Sequence, residues 1–118
     1  MTYQRKSLGK FGETQALEFL KRKNYQIIGQ NIRFKCGEID ILVQDQDNTL
    51  IIVEVKTKTD LEFGLPQEMV NLKKQKKLRQ LAKVLAQKYP QHNLRIDVIA
   101  IDESSNSIEH ILNAVEDV

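Results

Sequence analysis

An α/β fold, a mixed β-sheet flanked by helices, is the class that the 118-residue sequence predicts, and three patterns predict it. Two segments, around Ala16–Leu20 and Leu78–Leu85, carry apolar residues at helical spacing. Two others, Glu38–Gln44 and Leu50–Thr57, alternate apolar and polar residues as strands do. A further run, Arg95–Ile101, is apolar almost throughout apart from Asp97, as expected of a strand covered on both faces. The resulting order, αβββαβ plus a short edge strand, lays helices against one sheet. A chain of this length is expected to form a single domain over residues 1–118, burying about two-thirds of its unfolded surface.

The first helix is expected from about Lys10 to Lys23, with Ala16, Leu17 and Leu20 as its buried stripe. Tyr25–Arg33, holding Ile27, Ile28 and Ile32, follows as the first strand. The polar stretch Asp45, Gln46, Asp47 and Asn48 then makes a hairpin turn. Odd-numbered residues of the hairpin are apolar, so Ile39, Ile41 and Val43 should join Ile51, Val53 and Val55 in one buried surface. That fixes the register, because a slip of one residue turns half of this surface to the wrong face. Asp60–Leu65 contains Gly64 and precedes Pro66, which marks a loop near the hairpin. A second helix begins near Pro66 or Asn71 and buries Leu78, Leu81, Ala82 and Leu85. Ser107–Leu112 supplies the edge strand, and Asp117 and Val118 a frayed end.

The hairpin register carries the chemistry. With the turn centred on Asp47, Asp40 stands across from Glu54, at about 5 Å between Cβ atoms, and Lys56 follows on the same face. Two carboxylates so placed repel. A divalent cation offsets that cost, since Mg²⁺ suits hard carboxylate oxygens and takes its other ligands from water and substrate phosphate. A neighbouring lysine can orient an attacking water or stabilise charge developing on phosphate. Ordinary solvated charges on an outer hairpin face explain the same triplet. Glu13 adds a third carboxylate, three, four and seven positions before Ala16, Leu17 and Leu20, and so on their stripe. A buried acid needs a partner, and a metal or metal-water site provides one; a first-turn acid favoured by the helix dipole is the other account.

Net charge is only +2, yet Lys73, Lys74, Lys76, Lys77 and Arg79 place five cations within seven residues. Arg5, Lys6 and Lys10 add charge at the start, and Arg33, Lys35 and Lys58 flank the hairpin. Such clusters suit a phosphate backbone, with affinity that falls steeply with salt, or form a solvated helix face. No apolar run reaches membrane-spanning length and the start has no signal-peptide core, so a cytoplasmic protein with no membrane partner is expected. The single Cys36 cannot form an internal disulfide, and its distance in sequence from His92 and His110 gives no zinc-type spacing. Cys36 is expected to be a plain loop or strand residue and both histidines surface residues. Asp97 is either a structural acid paired with a core amine or a neighbour of the active site.

Leu8-Gly9-Lys10-Phe11-Gly12-Glu13-Thr14-Gln15-Ala16, Tyr25, Asn31-Ile32-Arg33, Gly37-Glu38-Ile39-Asp40-Ile41-Leu42, Val53-Glu54-Val55-Lys56-Thr57-Lys58 and Arg95-Ile96-Asp97-Val98-Ile99-Ala100-Ile101 together resemble the bacterial YraN family, over nearly the whole chain. That family is grouped with the restriction-endonuclease-like superfamily and is similar to archaeal Holliday-junction resolvases. The resemblance implies a restriction-endonuclease-like fold, Asp40 and Glu54 as metal ligands, the Val55 carbonyl as a third, Lys56 as the catalytic lysine and Glu13 as the helix acid. Ile39 stands where the wider superfamily often has proline, in keeping with the narrower family.

The function expected is a structure-selective DNA endonuclease using Mg²⁺ or Mn²⁺, with the clustered cations on flanking phosphates. Its rivals are a non-catalytic nucleic-acid-binding module of the same fold and a structural protein held by a buried ion network. No base-reading element or aromatic platform is evident, which favours recognition of a branch, nick, flap or single strand over a base sequence. A four-way junction would suit a homodimer, because two cuts need two sites. RNA as substrate and a requirement for an unidentified protein partner both stay open.

Overall fold

The computed structural model describes residues 2–58 and 70–116, and only the backbone of residues 2–10 and 58. The loop expected at Asp60–Leu65, Pro66 and the chain end at Asp117 and Val118 lie outside the described residues, as do the side chains of Arg5, Lys6 and Lys10. Among the described residues the order is α1 (Thr2–Arg22), β1 (Gln26–Phe34), β2 (Gly37–Gln44), β3 (Leu50–Lys58), α2 (Leu72–Lys88), β4 (Leu94–Asp102) and β5 (Ser107–Ile111). The strands form one sheet in chain order, antiparallel throughout except for the parallel pair β3 and β4. A parallel neighbour requires a crossover, and α2 lies on it. No described helix is long and apolar enough to cross a membrane.

α1 starts eight residues before the expected Lys10, ahead of the apolar stripe Ala16, Leu17 and Leu20 that marks the helix in the sequence. At α2 the expected Asn71 is the N-cap: its side chain accepts a hydrogen bond from the Lys74 N–H at 2.8 Å, satisfying an amide that the first turn leaves without an intrahelical partner.

Each face of the sheet is covered by a helix. Ala16 and Leu20 of α1 pack with Ile41, Val43, Ile51 and Val53, whereas Leu78, Leu81, Ala82 and Leu85 of α2 pack with Leu42, Leu50, Ile52, Ile96 and Val98. The hairpin therefore has no wholly solvated outer face: of its even-numbered residues Leu42, Leu50, Ile52 and Glu54 are buried, Asp40 is half-buried and Lys56 is exposed. Ile39 also departs from expectation, since it joins Ile32 and Phe34 in the α2 cluster while Ile41 and Val43 belong to the α1 cluster. The alternation breaks between Ile39 and Ile41. Asn31 lies opposite that break, between the pairs Gln30–Ile41 and Ile32–Ile39, and its φ of 52° is left-handed. Asparagine tolerates that conformation where most residues do not, and the kink curls the end of β1 and β2 onto α2.

Asp97 resolves as a structural acid. It is fully buried in β4 and accepts hydrogen bonds from Arg95 Nε at 2.9 Å, Arg95 Nη2 at 3.1 Å and the Asn113 N–H at 2.8 Å. His110 Nε2 lies 2.8 Å from its Oδ2. His110 is thus no surface residue, and its ring meets Phe19 and Tyr25 edge-on at 6.0 and 5.8 Å. His92 sits with Nδ1 2.7 Å from the Asn48 carbonyl, and Cys36 packs partly buried against the α2 cluster.

Two substitutions test these restraints. Asn31→Val forces a β-branched residue into a left-handed conformation and should cost about 1–3 kcal/mol in chemical denaturation, while Asn31→Gly should be nearly neutral. Asp97→Ala strands the half-buried Arg95 and His110 and should destabilise by roughly 3 kcal/mol; equal stability to wild type would show that the network contributes no net stability.

Candidate active site

The regular ladder between β2 and β3 ends at the pair Ile41–Val53, and the next residues outward are Asp40 and Glu54. They face each other as the sequence register requires. Instead of a backbone partner, the Val55 N–H donates to Asp40 Oδ2 at 3.0 Å. A carboxylate thus closes the end of the ladder, which binds Asp40 to β3 and orients it. Glu54 is 9% exposed, since α2 covers its face, and Lys74 Nζ of α2 lies 3.3 Å from its Oε1.

Glu13 approaches the same corner from α1. A Cβ at Gly12 would collide with Thr57 Oγ1 of β3, so only glycine lets the helix approach this closely and places the next residue, Glu13, beside Asp40. Burial pushes the Glu13 carboxyl up, helped by the charges of Asp40 and Glu38. Asp40 is also raised by burial, although the Val55 N–H and the Lys74 charge pull it down. Burial and the Asp40 charge push Glu54 up to about 7, against the opposing effects of Lys74 and Lys56. Three acids therefore resist ionisation here, a cost that structure-stabilising ion networks avoid. Asp97 shows the contrast: burial pushes it up, yet the bonds from His110, Arg95 and Asn113 outweigh that and hold it low.

Glu13 Oε1 and Glu54 Oε2 are buried with no hydrogen-bond partner among the described residues. Orphaned carboxylate oxygens of this kind are costly unless something satisfies them, and hard oxygens suit a divalent cation. The donor set thus fits Mg²⁺ or Mn²⁺. Among the described residues no three His, Cys, Asp or Glu side chains gather as a metal cluster, so the expected third carboxylate, Glu13, does not join Asp40 and Glu54 in one.

Lys56 is exposed at a pocket of about 210 Å³ that it lines with Glu54, Val70, Asn71 and Lys74. The basic cluster divides in the structure. Lys73, Lys76 and Lys77 are exposed, Lys74 turns to Glu54, and Arg79 Nε donates to the Glu116 carbonyl at 3.1 Å. Arg33 pairs with Glu38 at 3.2 Å, Lys35 is exposed in the β1–β2 turn, and the side chain of Lys58 lies outside the described residues. Sequence reasoning missed the Lys74–Glu54 pair, because Lys74 differs from its neighbours only in its position on the helix face.

A profile described as uncharacterised protein family UPF0102 matches residues 12–101. A UPF0102 protein of Geotalea daltonii is 45% identical over 116 residues, spanning 94% of this chain and 91% of the relative. Another, from Desulforamulus reducens, is 37% identical over 122 residues, spanning 98% and 100%. Among solved structures, a repair endonuclease from Pyrococcus abyssi superposes with a TM-score of 0.53 at 15% identity, over 75% of this chain and 36% of that one. This chain is similar to about a third of that protein's length. The likeness shows a restriction-endonuclease-like fold.

The raised Glu54 carboxyl gives a signed pH dependence. Its contribution to folding is fully present below its unfolded value near 4.5 and is lost as pH rises through about 7. In metal-free protein, Glu54→Gln should flatten the fall in melting temperature across that window and melt several degrees above wild type at pH 8. Parallel pH profiles for the two proteins would remove Glu54 as the source.

Proposed function

We propose that this chain, which belongs to the UPF0102 (YraN) family, is a nuclease that hydrolyses phosphodiester bonds of DNA with Mg²⁺ or Mn²⁺. The observation that carries the proposal is the pair of half-buried Asp40 and buried Glu54 at the end of the β2–β3 ladder, with a Glu54 carboxylate oxygen left unsatisfied beside Lys56. A structural pair would be compensated; this one is built to receive a cation.

Asp40, Glu54 and the Val55 carbonyl would hold the ion, with Glu13 at its outer side. When bound, the cation supplies Lewis-acid stabilisation of charge on phosphate and favours deprotonation of water. Lys56, exposed at the mouth of the pocket, positions the attacking water and offsets negative charge on the phosphate. Glu13, brought beside Asp40 by the close approach at Gly12, orients that water from the α1 side. Lys73, Lys76 and Lys77 lie exposed along α2 for flanking phosphates, joined by Arg33, Lys35 and Lys58 at the hairpin.

Contacts of this kind read the backbone and its path rather than base edges, so a branched, nicked or flapped substrate suits the surface best. Paired cuts in a four-way junction would enlist two copies of the chain. A non-catalytic nucleic-acid-binding module is the second reading, favoured by the Lys74–Glu54 pair, which already neutralises one acid.

Cleavage of labelled linear duplex, single strand, flap and four-way-junction DNA with Mg²⁺ or Mn²⁺ separates the two. Wild type should cut at least one substrate only with metal, and Glu54→Ala or Lys56→Ala should lower the rate by roughly 100-fold or more. Salt-sensitive binding that is equal in wild type and both variants, with no cut in any substrate, would establish the binding module instead.

A further inference from the structure

The cation cluster of α2 contains one member that faces the acids rather than solvent alone. Lys74 Nζ lies 3.3 Å from Glu54 Oε1, and the lysine side chain is still 41% exposed while the glutamate side chain is 11% exposed. The ammonium therefore borders both a buried carboxylate and open water. Its backbone is pinned, because the Asn71 side chain accepts from the Lys74 N–H, but its long side chain can swing about that anchor. Lys56 lines the same pocket. With Lys74 turned away from Glu54, two ammonium groups would present there to an anion.

Resting on the metal-dependent reading above, we propose that Lys74 is an exchangeable counter-ion: it engages Glu54 in the absence of metal and moves to a nucleic-acid phosphate when a divalent cation takes the carboxylate, so that cation and nucleic acid bind cooperatively. Two like charges cannot share Glu54 without repulsion, and a phosphate entering beside Lys56 offers the displaced ammonium a new partner. Lys74 is thus a positioning residue acting through Glu54. Coupling of this type is reciprocal, so nucleic acid strengthens cation binding by the factor with which the cation strengthens nucleic-acid binding.

Mn²⁺ titrations of the full chain without DNA, by calorimetry at pH 8.5, test the exchange. Lys74→Gln should bind Mn²⁺ about threefold more tightly than wild type, the scale of a partly exposed ion pair. Lys74→Arg, which keeps the charge, and Lys83→Gln, exposed further along α2, should match wild type, and Asp40→Asn should not bind. Repeated with a short DNA duplex in a Lys56→Ala background, DNA should tighten Mn²⁺ binding by about threefold less when Lys74→Gln is added. Lys74→Gln binding Mn²⁺ no more tightly than wild type, while Asp40→Asn abolishes it, overturns the exchange and leaves the metal site standing. Wild type failing to bind Mn²⁺ at all overturns both.

Discussion

Burying acids beside one another is the constraint around which this molecule is arranged. Glu54 and Asp40 close the ladder between two central strands, and α2 and α1 approach that end with Lys74 and Glu13. None of these acids is held ionised as firmly as Asp97 is, which receives three partners in a separate cluster of β4 and β5. Carboxylates thus serve two ends: one is saturated to hold β4, β5 and the following turn together, while Glu13 and Glu54 each keep one buried oxygen without a hydrogen-bond partner among the described residues.

Such a corner is destabilising on its own, and the rest of the fold offsets it. Two apolar clusters, one under each helix, bury the sheet from both sides. Each large aliphatic side chain so buried contributes on the order of 1.5–3 kcal/mol, which leaves room for a strained site within the few kcal/mol by which proteins exceed their unfolding threshold. Asn31 and Gly12 are the local devices that deliver the acids. One bends the hairpin where Asp40 sits, and the other lets α1 close against β3.

Much of this was legible in the residues alone. Strand parity placed Asp40 opposite Glu54, and helical spacing selected Leu78, Leu81, Ala82 and Leu85 as the buried stripe of α2. Illegible were features that depend on what covers a surface. Alternation marked the odd hairpin face as core, but Leu42, Leu50 and Ile52 are buried only because α2 lies over them. His110 reads as any polar residue of an edge strand until Asp97 is found behind it. Lys74 stands in a run of lysines, and only the three-dimensional path of α2 singles it out.

The irregularity of β1 has a consequence for assembly. β1 is an outer strand, and its pairing shifts between Ile27 and Gly29 before the backbone turns left-handed at Asn31. Outer strands are where another polypeptide can add itself to a sheet, and bulges and kinks spoil the straight row of amides and carbonyls that such growth needs. The distortion opposite Asp40 therefore also blunts this margin against fibre-like stacking. Growth of the sheet by a further strand is thus disfavoured at β1, whose irregular edge offers no continuous ladder to extend.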